Sequence, residues 1–155
     1  MPGKIAARLA ELKVELPKAA APVANYVPVV ISGNQAYVSG QVTVWNGELK
    51  YVGQLGKEFQ VEDGQKAARL CAINIISQLR AALGGDLDKV KRIVRVGGFV
   101  NAVADFTDQP QVINGASDLL VQIFGEAGKH ARAAVGVSSL PRGVAVEVEA
   151  VAEVA

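Results

Sequence analysis

The chain has 155 residues, half of them hydrophobic and a fifth charged, and its 16 basic and 15 acidic side chains leave a net charge of +1. This suits one domain with a real core, and the balanced charge excludes a surface built to neutralise a phosphate backbone, so no nucleic-acid partner is expected. The one cysteine, Cys71, excludes an intramolecular disulfide, which together with the absence of a signal-peptide pattern predicts a cytoplasmic protein.

Taken in chain order, Ile5, Leu9 and Leu12 recur at helical spacing with Lys4, Arg8 and Glu11 on other faces, so a short amphipathic helix is predicted, ended by Pro17. Residues 17–25 read as a linker. The β-branched run from Val27 to Ile31, the Ser32-Gly33-Asn34 turn and the segment Ala36 to Ser39 predict a hairpin. Pro28 places its first strand at an edge. Asn46-Gly47 predicts a second tight turn, and 53–60 a loop. A long helix begins at Val61 and stops at Gly84-Gly85. Val90 to Val103 reads as a long strand and Gln111 to Ala127 as a second long helix. Ala131 to Val137 and Val144 to Val154 read as two strands joined by a turn at Ser139–Gly143. In the last strand Val146, Val148 and Ala150 face one way, and Glu147 and Glu149 the other. The order predicts an α+β domain, a mixed sheet with two long helices on one face.

Several chemistries lack their parts. No phosphate-binding loop is present, and one histidine, His130, with one cysteine and no clustered carboxylates supplies no metal site. Neither metal nor cofactor is expected. No apolar run approaches the roughly 20 residues of a membrane span, so no membrane partner is expected. The run Lys89, Lys91, Arg92, Arg95 lacks the interleaved aromatics on which single-stranded nucleic acid stacks and reads as a solvated face. Cys71, in an apolar helix, reads as an inert buried thiol.

Arg132 is different. It begins an otherwise apolar strand, where a guanidinium must snorkel, pair or bind something. Read from the residues alone, it either pairs with Glu147 or Glu149 on a neighbouring strand or holds the carboxylate of a ligand in two hydrogen bonds.

The run from Arg132 through Leu140-Pro141, followed by Val146-Glu147-Val148-Glu149-Ala150-Val151-Ala152, resembles the C-terminal signature of the Rid family, also called YjgF-like and known by an endoribonuclease L-PSP label. Val38-Ser39-Gly40-Gln41-Val42 resembles its serine–glycine–glutamine segment, Asn25-Tyr26-Val27 its tyrosine segment, and Val112-Ile113-Asn114 opens the second helix in the expected order. The resemblance implies a chorismate-mutase-like fold over 22–155, preceded by a helical extension and linker over 1–21. It implies a homotrimer with clefts between subunits. It also implies hydrolysis of small imines or enamines derived from amino acids to 2-keto acids and ammonia. In that reading Arg132 clamps the substrate carboxylate, Glu147 orients water or moves a proton, and Tyr26, Ser39, Gly40 and Asn114 line the pocket. The alternative is a non-catalytic trimer that binds small carboxylate metabolites through the same arginine. Departures mark a divergent subgroup: Ala134 replaces a cysteine that many members carry, Ala24-Asn25 replaces glycine–proline, and the segment 44–60 is longer. Ribonuclease activity is disfavoured by the neutral charge and the lack of a histidine pair.

Overall fold

The computed structural model describes residues 3–21 and 24–155. The expected boundary at 21/22 therefore meets residues outside that description. The elements are α1 (Lys4–Glu11), β1 (Val29–Ser32), β2 (Gln35–Gln41), β3 (Val44–Trp45), β4 (Glu48–Leu49), α2 (Val61–Ala82), β5 (Val90–Asn101), α3 (Gln109–Phe124), β6 (Ala131–Val137) and β7 (Val146–Val154). Five strands form a mixed sheet in the order β1-β2-β7-β5-β6, and β3-β4 is a separate hairpin. Within this sheet β5 and β6 pair in parallel, and the other neighbouring strands run antiparallel. The α2–α3 pair covers one face, which is the predicted α+β arrangement.

Alternation along the strands builds that core. In β7, Val146, Val148, Ala150, Ala152 and Val154 are buried, while the residues between them are half-exposed on the other face. Ile93, Val96 and Val100 of β5 join them beneath Cys71, Ile75 and Leu79 of α2 and Val112, Ala116 and Leu119 of α3. α2 starts with a capping box: the Gln60 N–H donates to the Asp63 carboxylate at 3.0 Å and the Gln60 side chain meets the backbone of Asp63. The Asn46-Gly47 turn joins β3 to β4 with φ of 48° and 84°, the left-handed pair that this hairpin type needs. Asn74 of α2 donates to the carbonyls of Val42 and Val44 at 3.0 and 2.8 Å, tying the β2–β3 break to the helix.

Two expectations are corrected. α1 ends at Glu11 rather than at Pro17, because Lys13 turns into the left-handed region at φ 57°. The helix begins on Asp88, whose carboxylate accepts the Lys4 and Ile5 N–H groups at 2.8 Å each. Those bonds hold its pKa below the usual carboxylate value. The described part of the linker lies along α2, where Ser77 and Gln78 donate to the carbonyls of Pro17 and Ala20 at 2.7 and 3.0 Å. Second, β6 and β7 are not neighbours. β5 lies between them, and the Leu140–Gly143 segment is a crossover past the end of β5, where Asn101 donates to the carbonyls of Ala145 and Val144.

The two helices approach closely at Gly115. A Cβ there would lie 2.0 Å from the Gln65 carbonyl oxygen, a backbone atom that cannot swing away. Alanine favours an isolated helix over glycine by roughly 1 kcal/mol. Here the sign reverses, and Gly115→Ala is expected to destabilise by about 2 kcal/mol through overpacking. A denaturant titration checks this, and a variant as stable as the wild type would show that the helices can part without cost.

Candidate functional site

Arg132 lies on β6 in register with Val96 of β5, which in turn pairs with Ala150 of β7. Val96 and Ala150 are buried beneath the helices, so Arg132 faces the helix layer at the sheet edge. Its Nη1 donates to Asn114 Oδ1 at 2.9 Å and to Ser117 Oγ at 3.1 Å, and its Nη2 donates to the Pro110 carbonyl at 3.3 Å. All three acceptors are neutral and all belong to α3. Among the described residues Arg132 forms no ion pair. Glu149 pairs instead with Arg95, at 3.5 Å, and Glu147 lies on the opposite face of the sheet. Pairing of Arg132 with either glutamate is therefore ruled out within one chain. The full positive charge remains, and of five guanidinium N–H groups the Nε–H and one on Nη2 have no acceptor among the described residues.

Asn114 sits inside α3, six residues past its first capping position, so it does not cap the helix. Its partner Ser117 follows one turn later on the same helix face. Ser117 Oγ is 2.8 Å from His130 Nε2, and His130 Nδ1 is 2.6 Å from the Gly128 carbonyl. The sequence did not mark Ser117 or His130. The available signal was spacing: Asn114 and Ser117 at i, i+3 on a helix, and His130 and Arg132 at i, i+2 entering a strand. Burial, foremost, and the Arg132 charge lower the His130 pKa, while the bond to Gly128 opposes them. The balance favours the neutral ring.

The other expected residues form a second group. Glu147 projects from the open face of β7, half-buried beside Gly40 of β2, where any Cβ would overlap its carboxylate. The irregularity of β2 between Val38 and Gln41 makes this approach, since the ladder with β7 skips Ser39 and Gly40. Desolvation, and then the charge of Glu149, raise the Glu147 pKa above the ordinary glutamate value. Ser39 and Gly40 line a cleft of about 610 Å³ with Tyr26, Asn74 and Gln78. The structure thus joins Arg132 with Asn114 and sets Glu147 against Gly40, which also lines the cleft with Ser39 and Tyr26, and Arg132 and Glu147 project from opposite faces of one sheet.

Among the described residues no three potential metal-ligating side chains come together, and no helix is long and apolar enough to cross a membrane. The basic side chains Lys91, Arg92 and Arg95 are exposed, and Arg92 is used locally, donating to the Lys129 carbonyl at 3.0 Å.

The model of the family described as YjgF/chorismate mutase-like, with an endoribonuclease label, matches residues 6–154. The chain belongs to this family. The match includes most of α1. Protein TCP17 of Trypanosoma cruzi is 53% identical over 97% of this chain and 94% of its own. The crystal structure of protein Atu1372 from Agrobacterium tumefaciens is 48% identical, with a TM-score of 0.91 covering 98% of this chain and 93% of that one. RidA from an Antarctic Psychrobacter is 30% identical, with a TM-score of 0.61 over 90% of this chain and 97% of that one. This Rid, or YjgF-like, chain is thus far more similar to Atu1372 than to RidA, in agreement with a divergent subgroup.

Proposed function

We propose that this YjgF-like chain hydrolyses small imines or enamines derived from amino acids to 2-keto acids and ammonia, with Arg132 holding the substrate carboxylate. The observation that carries this reading is the state of Arg132. Neutral acceptors fix its guanidinium, no carboxylate among the described residues neutralises it, and two N–H groups remain for a ligand carboxylate. Imine hydrolysis needs an oriented substrate, a placed water and a group that moves protons, and little covalent help from the protein. Glu147 is suited to the second and third tasks, because its half-buried carboxyl titrates closer to neutrality than a solvated one.

A substrate on Arg132 cannot also meet Glu147 of the same chain. The reading therefore includes a homotrimer in which Arg132 and Asn114 of one copy face Glu147, Gly40, Ser39 and Tyr26 of the next. The open sheet face supports this. Val30, Tyr37 and Val135 are 51%, 50% and 45% exposed there, an apolar surface suited to burial between copies.

The test is 2-keto acid release from imines generated in situ by an amino-acid oxidase. The wild type accelerates release and Arg132→Ala does not. Stabilisation by 2-keto acids without turnover would select the binding-protein alternative and reduce Glu147 to a structural partner. A second measurement addresses Glu147. If its ionised form acts, kcat/KM falls as pH drops through its raised pKa. Glu149→Gln removes the neighbouring charge that contributes to that rise, so the acid limb moves to lower pH. An unmoved limb would assign the titration to another group.

A further inference from the structure

We propose that Ser117 and His130 are positioning residues that lock the Arg132 guanidinium in its carboxylate-binding orientation through a directed chain of hydrogen bonds. The inference rests on the reading of Arg132 as the clamp and assigns two residues that the expected site did not include.

The direction of each bond follows from what the groups can donate. Arginine has donors only, so Ser117 Oγ accepts from Arg132 Nη1 at 3.1 Å. The serine proton is then free for His130 Nε2, at 2.8 Å. The Gly128 carbonyl can only accept, so His130 Nδ1 carries the ring proton and donates it at 2.6 Å. The chain runs from Arg132 through Ser117 and His130 and ends on a carbonyl of the turn before β6. That turn is held in place from β5, since Arg92 donates to the next carbonyl, of Lys129, at 3.0 Å. The charged groups on the elements packed around the ring are Arg132 on β6, Glu126 and Lys129 in the turn, and Arg92 on β5. Glu126 and Lys129 pair with each other at 2.9 Å, and Arg132 is the one whose charge acts on the ring.

The arrangement has a chemical purpose. A lone hydroxyl can rotate and offer Arg132 a proton instead of a lone pair. With its proton committed to His130, the Ser117 oxygen is fixed as an acceptor. Asn114 Oδ1 accepts from the same Nη1 at 2.9 Å, so both of its protons are used and the guanidinium plane is set. The edge carrying Nε then stays free for the ligand.

The chain contains one histidine, so its imidazole nitrogen NMR spectrum reads this network without overlap. We expect the neutral Nδ1–H tautomer in the wild type, retained in Ser117→Ala because the Gly128 carbonyl still accepts from Nδ1, with the Nε2 resonance shifted by loss of the serine donor. Saturation with a 2-keto acid, pyruvate as the probe, should raise the His130 pKa, because an anion on Arg132 offsets the guanidinium charge. Arg132→Ala should abolish this response. In the imine assay Ser117→Ala should raise KM about tenfold, the worth of one hydrogen bond to a charged group, with kcat within about twofold. Ser117→Thr, which keeps the hydroxyl, should restore KM. An Nε2–H tautomer, or a KM unchanged in Ser117→Ala beside a wild type whose turnover depends on Arg132, overturns the proposal. A wild type without turnover whose histidine still responds to pyruvate through Arg132 refutes the deaminase and leaves the lock standing. No turnover and no response refutes both.

Discussion

Arg132→Ala is expected to lower kcat/KM for imine hydrolysis about a hundredfold while leaving the fold intact. The magnitude reflects a positioning group whose loss lets the reacting carbon move by about an ångström. The fold should survive because Arg132 is only partly buried and its partners can be rehydrated: Asn114 and Ser117 are likewise not fully buried. Arg132→Lys should recover little. An ammonium cannot satisfy Asn114, Ser117 and the Pro110 carbonyl and still present two N–H groups to a carboxylate. Parallel measurement of keto-acid release and circular dichroism checks both halves. A folded Arg132→Ala protein with wild-type kcat/KM would remove the arginine from the chemistry altogether.

Arg132→Ala and Glu147→Gln, each nearly inactive alone, should regain activity when unfolded together and reassembled. The reason is geometric: the two residues lie on opposite faces of one sheet, on strands separated by β5. In a random mixture of two variants, a site between copies is intact only when one copy supplies Arg132 and the neighbouring one Glu147. That holds for about a quarter of the sites in a closed ring. Recovery near that fraction establishes a shared site. Hybrids without activity, from variants that assemble normally, would mean that the two residues never serve one substrate.

Much of the fold could be read from short-range patterns. The α2 periodicity, the Asn46-Gly47 turn and the Val146–Glu147–Val148 alternation each follow from a backbone period and one or two special residues. The position of β5 between β6 and β7 could not. Leu140-Pro141-Arg142-Gly143 has the composition of a hairpin turn, and only the packing of the β5 end, through Asn101, makes it a crossover. The same distinction holds at the site. Arg132 stood out because a charge in an apolar strand requires an explanation. Its hold by Ser117 and His130 did not stand out, since a serine on a helix and a histidine before a strand are ordinary until the fold brings the two rows together. The pairing of Arg132 with Glu147 or Glu149 was a fair expectation from order along the chain, and it failed on the strand order and on the face that each side chain takes.

Cys71 is fully buried, its Sγ 3.4 Å from the Val146 carbonyl oxygen, and burial, first, and then the Glu147 charge push its thiol well above the usual range. The only sulfhydryl of the chain therefore lies in the seam between α2 and β7, where no alkylating reagent reaches the native state. Its labelling measures how often that seam opens, a spontaneous clock for native-state breathing that needs no introduced probe.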